Sequence, residues 1–244
     1  MSLCLRSLFI SLFFIPVFAH SPLVGQTAVQ SPGQFLPHAL GEKFTPHHLL
    51  TDYYRYLATA SPRTMRLQRY GTTAEDRPLY IAIFSTPANM ERLEEIRLNH
   101  LRMTGLERGT PDMNNPVAIV WISMSVHGNE SSGAEAGMEL SWRLATQSDA
   151  SIRQWLSNTV VIIDVALNPD GFDHYAHWNR MASNRLKNPA PEAREHREPW
   201  PGGRLNHYCF DLNRDWAWAT QDETRQRLEI FHQWLPHVHP DVHE

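Results

Sequence analysis

Two short segments restrict the fold more than any other feature of this chain. Residues 117–122 (VAIVWI) and 159–165 (TVVIIDV) are unbroken apolar runs rich in β-branched residues. A strand with one face in water alternates apolar and polar residues, whereas a strand covered on both faces has no reason to alternate. Between the runs, Glu130 to Gln147 carries Ala134, Met138 and Trp142 at four-residue spacing, the periodicity of a helix with one buried stripe. Strand, helix, strand in this order predicts parallel neighbours joined by a right-handed crossover. The expected fold is α/β, with three layers around a mixed, largely parallel central sheet.

Other elements are placed around this unit. Leu49, Leu50, Tyr53, Tyr54 and Leu57 recur at helical spacing over 46–60, with Thr45 as the expected N-cap and Pro46 as the first helical residue. MRLQRYG and RPLYIAIFS, separated by a short polar stretch, predict a β-hairpin. Helices are expected over 90–103 and 221–235, and Asp241-Val242-His243 begins another strand. Residues 20–43 read as a flexible leader, because 20–37 is rich in Ser, Pro, Gly and Gln and shows no periodicity. Before it, Arg6 and the apolar run from Leu8 to Phe18 lead to Ala19, the pattern of a cleaved secretory signal over 1–19. Cleavage leaves Cys209 as the only cysteine, which excludes an internal disulfide framework, and predicts a secreted or periplasmic protein with no membrane span. A net charge of -4 argues against a nucleic-acid partner.

The chemistry-bearing residues follow the buried runs. Ser125-Val126-His127-Gly128-Asn129-Glu130 comes directly after the first, where a His and a Glu three apart can converge on one cation. Ligands in open α/β sheets bind at the carboxyl ends of strands, where this segment falls. Asn168-Pro169-Asp170-Gly171 comes directly after the second and has the composition of a tight turn. In Phe210-Asp211-Leu212-Asn213-Arg214-Asp215-Trp216, the planar fork of an arginine and an asparagine amide stand side by side, suited to a carboxylate. Asp241-Val242-His243-Glu244 closes the sequence. The alternating charges of Arg194 to Glu198 read as a solvated surface. Trp200-Pro201-Gly202-Gly203-Arg204 and Asn206-His207-Tyr208 are expected to help build a substrate cleft, because they lead into the Asn-Arg pair, with packing of Trp200 and Tyr208 on the core as the alternative.

Taken in this order, the four segments resemble the M14 family of zinc carboxypeptidases, over the range from about Phe44 to the end. The resemblance implies Zn2+ held by His127, Glu130 and His243, with Asp211 orienting the first histidine from behind. It implies that Asn213 and Arg214 grip the terminal carboxylate of a substrate. An arginine shortly after the Asn-Pro-Asp-Gly segment stabilises the oxyanion in this family; Arg180 and Arg185 both lie there, and Arg185 is the choice. The implied activity is hydrolysis of the amide bond next to a terminal carboxylate, in an ordinary or a cell-wall peptide. The family's general-base glutamate and its capping tyrosine lie beyond the third zinc ligand. The segment 44–244 is therefore expected to be an incomplete catalytic domain. Glu244 is a poor substitute base, since neighbours on an extended strand face opposite ways. A deacylase of N-acyl amino acids, which uses a similar ligand set, and a non-catalytic binder of zinc or of peptide C-termini are the alternatives.

Overall fold

The hairpin and the two apolar runs form one sheet. The computed structural model describes residues 28–244, so the expected signal segment 1–19 lies outside the described residues. In chain order the elements are α1 (Pro32–Phe35), α2 (His47–Ala60), β1 (Met65–Thr72), β2 (Pro78–Phe84), α3 (Pro87–Glu91), α4 (Leu93–Met103) and β3 (Ala118–Met124). They continue with α5 (Ser132–Thr146), α6 (Ala150–Leu156), β4 (Thr159–Asp164), α7 (Pro169–Ala182), α8 (Asp222–Trp234) and β5 (Asp241–Val242). The sheet order is β1-β2-β4-β3-β5. The hairpin pairs β1 with β2 antiparallel, and β2 meets β4 antiparallel. The β3–β4 and β3–β5 pairs are parallel, so the sheet is mixed.

Successive residues of the central strands supply two different cores, which is why their sequences do not alternate. On one face Ile81, Ile83, Ile119, Trp121, Val160 and Ile162 pack with Met90, Leu93 and Ile96 and with Ile230 and Trp234 of α8. On the other, Ala82, Phe84, Met124 and Ile163 pack with Leu50, Tyr53, Tyr54 and Leu57 of α2 and with Ala134 and Met138 of α5. Helices on both faces make the three layers. Each large side chain so buried contributes roughly 1.5–3 kcal/mol before the entropy cost of ordering it.

Several local details differ from expectation. Pro46 is the N-cap of α2, not its first residue. Thr45 is engaged elsewhere: its N–H donates to Glu135 Oε1 at 2.7 Å and its hydroxyl meets His38 Nε2 at 3.1 Å. The helix expected over 90–103 is two helices, broken at Arg92. The part of the expected flexible leader that is described, 28–43, is tied down. Gln30 N–H donates to Tyr56 Oη at 2.8 Å, Trp142 Nε1–H donates to Val29 O at 3.1 Å, and Leu36 is buried. Asn168 to Gly171 is not a β-turn but the start of α7, with Asn168 as N-cap accepting from Gly171 N–H at 3.0 Å and Pro169 in the first turn. Asp170 is buried, accepting from Thr73 Oγ1 at 2.7 Å and pairing with Arg77 Nη1 at 2.8 Å. Arg77 also reaches Asp173 at 2.8 Å, so the hairpin loop is fastened to the first turns of α7.

Candidate metal centre

The loops that follow β3 and β4 continue the sheet pairing past the strand ends. Leu167 N–H donates to Met124 O at 3.0 Å and Asn168 N–H to Ser125 O at 3.2 Å. Ser125 then turns the chain at φ 54°, and its hydroxyl donates to Glu130 O at 3.1 Å, which closes the loop that carries His127 and Glu130. The same loop is pressed against two others by glycines. A Cβ on Gly128 would lie 2.1 Å from Phe172 N and 2.5 Å from Gly203 O. A Cβ on Gly171 would lie 2.3 Å from Gly203 O. Only residues without a side chain let these three backbones come so close.

His243 arrives from the opposite side. Met124 is the register partner of Val242 across β3 and β5, so the next residue lies beside the His127 loop. The result is a cluster in which one ligand atom each from His127, Glu130 and His243 lies within 4.8 Å of the others. His127 Nδ1 is 2.8 Å from Glu130 Oε1, and His243 Nδ1 is 2.9 Å from Glu130 Oε2. Burial alone would raise the Glu130 carboxyl, but its contacts with the two imidazoles outweigh burial and hold it below its ordinary value.

Asp211 lies behind the first imidazole. Its Oδ1 is 3.0 Å from His127 Nε2 and also accepts from Asn213 N–H at 2.9 Å, capping a short 3-10 turn over Leu212–Arg214. Leu212 anchors that turn in a small core with Val126 and Leu167. Burial pushes the Asp211 carboxyl up, and its bonds to His127 and the backbone bring it below the usual range. Two imidazole nitrogens and a carboxylate, converging from loops and backed by a further carboxylate, form a donor set that fits zinc. Asn213 Nδ2 is 3.3 Å from His243 Nε2, and Arg214 is exposed beside it.

The structure brings together His127, Glu130, His243, Asp211 and Asn213, but not Arg185. Arg180 and Arg185 line a separate cleft of about 300 Å3 with Glu42, Lys43, Asn179 and Lys187, and none of the three clustered residues borders it. The guanidinium beside the cluster is that of Arg204, which lies in the stretch read as part of a substrate cleft but was not considered for the oxyanion role. Its Nη1 is 3.7 Å from Glu130 Oε1 and its Nη2 is 3.2 Å from Asp211 Oδ2. The physical reason is the glycine contact: Gly203 packs on Gly171, and the next residue is thereby delivered to the loop of Glu130.

Glu198, expected in a solvated stretch, also serves this junction, accepting from Asn129 Nδ2 at 3.1 Å and from Gly203 N–H at 2.5 Å. In the same stretch Glu195 is buried and accepts from Asn184 N–H at 3.1 Å and from Asn188 N–H at 2.5 Å. Trp200 and Tyr208 are exposed at 84% and 61%, so neither packs on the core. Glu244 has its carboxylate on Ser132 N–H at 2.8 Å, at the start of α5.

The family model for zinc carboxypeptidases matches residues 50–238. Among curated relatives, carboxypeptidase 2 of Trichophyton rubrum and that of Trichophyton tonsurans are each 26% identical over 129 residues, 51% of this chain and 18% of theirs. The match thus spans less than a fifth of those relatives' length. Among solved structures, carboxypeptidase A from Helicoverpa armigera aligns over 89% of this chain and 49% of its own, with a TM-score of 0.54 and 13% identity. A metallo-carboxypeptidase from Burkholderia cenocepacia aligns over 80% and 40%, with a TM-score of 0.53 and 17% identity. These structures share the fold, and the family model covers most of the sequence, including His127 and Glu130: the chain belongs to the M14 family of zinc carboxypeptidases.

Proposed function

We propose that this chain is a zinc-dependent hydrolase of the metallocarboxypeptidase type, acting outside the cytoplasm on the amide bond next to a peptide's terminal carboxylate. Ordinary and cell-wall peptides both present that group. The observation that carries the reading is the convergence of His127 Nδ1 and His243 Nδ1 on the two oxygens of Glu130, with His127 Nε2 backed by Asp211. Bound there, zinc supplies Lewis-acid polarisation of the scissile carbonyl.

The chain's own residues divide the remaining work. Arg214, exposed and next in sequence to Asn213, offers a two-pronged donor to the substrate carboxylate, and the Asn213 amide offers N–H donors beside it. This fixes the peptide's end and hence the bond presented to the cluster. Arg204 takes the part expected of Arg185. Its guanidinium, 44% exposed at the rim of the cluster, donates to the oxygen on which negative charge develops. The signal-like segment before Ala19 supports a location outside the cytoplasm.

The test is elemental analysis of the purified chain beside His127→Ala, together with cleavage of a blocked dipeptide with a free carboxyl end. About one zinc per chain, lost in the variant, and release of the terminal amino acid are expected. A folded chain without zinc would sink the reading. Zinc without cleavage would leave a binder of peptide ends.

A further inference from the structure

Helix α7 ends at a cleft that the proposed reaction does not use. About 300 Å3 in volume, it is lined by Lys43 from the segment before α2, by Arg180 in the last turn of α7, and by Arg185 and Lys187 from the loop that follows. One carboxylate, Glu42, stands among these four cations. It is engaged by its own segment, accepting from Ala39 N–H at 3.2 Å and lying 3.9 Å from Lys43. Among the described residues no carboxylate pairs with Arg180, Arg185 or Lys187. On a chain whose net charge is -4, that is a concentrated excess of positive charge.

The cleft is also held in shape. Buried Glu195 accepts from Asn184 N–H at 3.1 Å and from Asn188 N–H at 2.5 Å, which fixes the loop that carries Arg185 and Lys187. The last carbonyls of a helix carry partial negative charge and repel an anion. Here Arg194 covers them, donating from Nη2 to Met181 O at 2.5 Å and from Nε to Ala182 O at 3.4 Å. The lining holds a donor without an acceptor as well. Asn179 is 6% exposed and its Oδ1 accepts from Ser183 Oγ at 3.0 Å, while no acceptor meets its Nδ2 among the described residues. In a side chain so buried, an N–H left over is the exception, and a ligand oxygen in the cleft satisfies it.

We propose that this cleft binds a phosphate group, free or at the end of a small ester, through Lys43, Arg180, Arg185 and Lys187, with Asn179 Nδ2 donating to one of its oxygens. A carboxylate offers two oxygens in one plane, which a single guanidinium fork satisfies. Cations that arrive from three separate segments suit a group with more charge and with oxygens pointing several ways, as those of a phosphate do. The volume lies at the lower end of small-molecule sites, roughly 300–1,000 Å3, and leaves room for a polar group on the phosphate beside Ser183 and Asn184. None of His127, Glu130 and His243 borders the cleft, so the inference does not rest on the zinc reading.

Isothermal titration of the full chain with glycerol 3-phosphate tests it, at low ionic strength and with a chelator present so that no metal-held phosphate is read. Saturable binding of one ester per chain is expected. Arg180→Ala and Arg185→Ala should each weaken it at least about tenfold, the loss of one charge-assisted hydrogen bond. Asn179→Asp keeps the acceptor for Ser183 and turns a carboxylate oxygen toward the phosphate, and should weaken binding by about tenfold or more. Arg108→Ala removes the same charge from an exposed position outside the cleft and should leave binding within about twofold. Inorganic phosphate that binds as tightly as the ester would assign the cleft to free phosphate, and a tighter ester would assign it to a phosphate monoester. No saturable binding, acetate binding as tightly as phosphate, or a loss confined to Arg204→Ala and Arg214→Ala would overturn the proposal.

Discussion

Gly128 is the point at which the metal loop, the start of α7 and the segment before Arg204 meet, and replacing it with alanine tests the construction of the whole site. Its backbone is not among those with positive φ, so the substitution probes space and not conformation. The added Cβ would sit 2.1 Å from Phe172 N, 2.2 Å from Gly171 C and 2.5 Å from Gly203 O. All three are backbone atoms, and two of the segments are pinned: Phe172 N–H bonds Asn168 O at 2.9 Å and Gly203 N–H bonds Glu198. Overpacking typically costs 1–3 kcal/mol, and contacts with fixed backbone place Gly128→Ala at the upper end, about 3 kcal/mol. For a chain of this size each kcal/mol moves the midpoint by about 2–4 °C, so Tm should fall by about 6–12 °C. Circular dichroism melts measure it directly, with Gly33→Ala as a control whose Cβ meets nothing within 4 Å. A Gly128→Ala midpoint within about 2 °C of the native chain would refute the claim that the three loops are interlocked through this glycine.

Two further outcomes follow from side chains around the site. Burial pushes the Asp164 carboxyl up to about 7, so the folded chain keeps a proton that the unfolded chain loses near an ordinary value of about 4, and this group makes stability fall as pH rises between the two. Asp164→Asn should remove that decline, read as urea midpoints across the interval; an unchanged slope would contradict it. Arg204→Ala should lower kcat for a carboxyl-terminal peptide by about a hundredfold or more, whereas Arg185→Ala should leave it within about twofold. Equal effects of the two would return the oxyanion role to open contest.

The sheet was legible because double-sided burial leaves a mark in sequence. Ile81 and Ile83 serve one core and Ala82 and Phe84 the other, and the same division runs through β3 and β4. Helix α7 left no such mark. Its buried positions include Asp170, Asp173 and Asn179, held by ion pairs and hydrogen bonds, so no apolar stripe announces it. Asn-Pro-Asp-Gly suits a tight turn and a helix start for the same reasons, a short side chain that captures a backbone N–H and a ring that presets φ. The packed segment before α2 was hidden for another reason: Val29, Phe35, Leu36 and Leu40 reach the core from among Ser, Pro, Gly and Gln residues, so no sustained periodicity announces them.

The candidate site divides along a similar line. His127 and Glu130 declared themselves by chemistry at a known place, the end of a buried strand, and His243 by following a strand that could reach the same end. Arg180 and Arg185 were attractive because they are near in sequence to the Asn-Pro-Asp-Gly segment. Nearness along the chain misleads here, since α7 carries them past the site to the cleft lined by Glu42 and Lys43. The chain returns at Glu198 and then at Gly202-Gly203. The usable signal was that glycine pair: consecutive residues without side chains before an arginine mark a backbone about to touch another. Its partner, Gly171, lies far earlier in the chain, and only the folded contact shows that the two glycines belong together. Arg204 is thus positioned by residues that carry no chemistry at all. In the proposed reading, the oxyanion donor is the residue that follows this close glycine contact and not an arginine near the Asn-Pro-Asp-Gly segment in sequence.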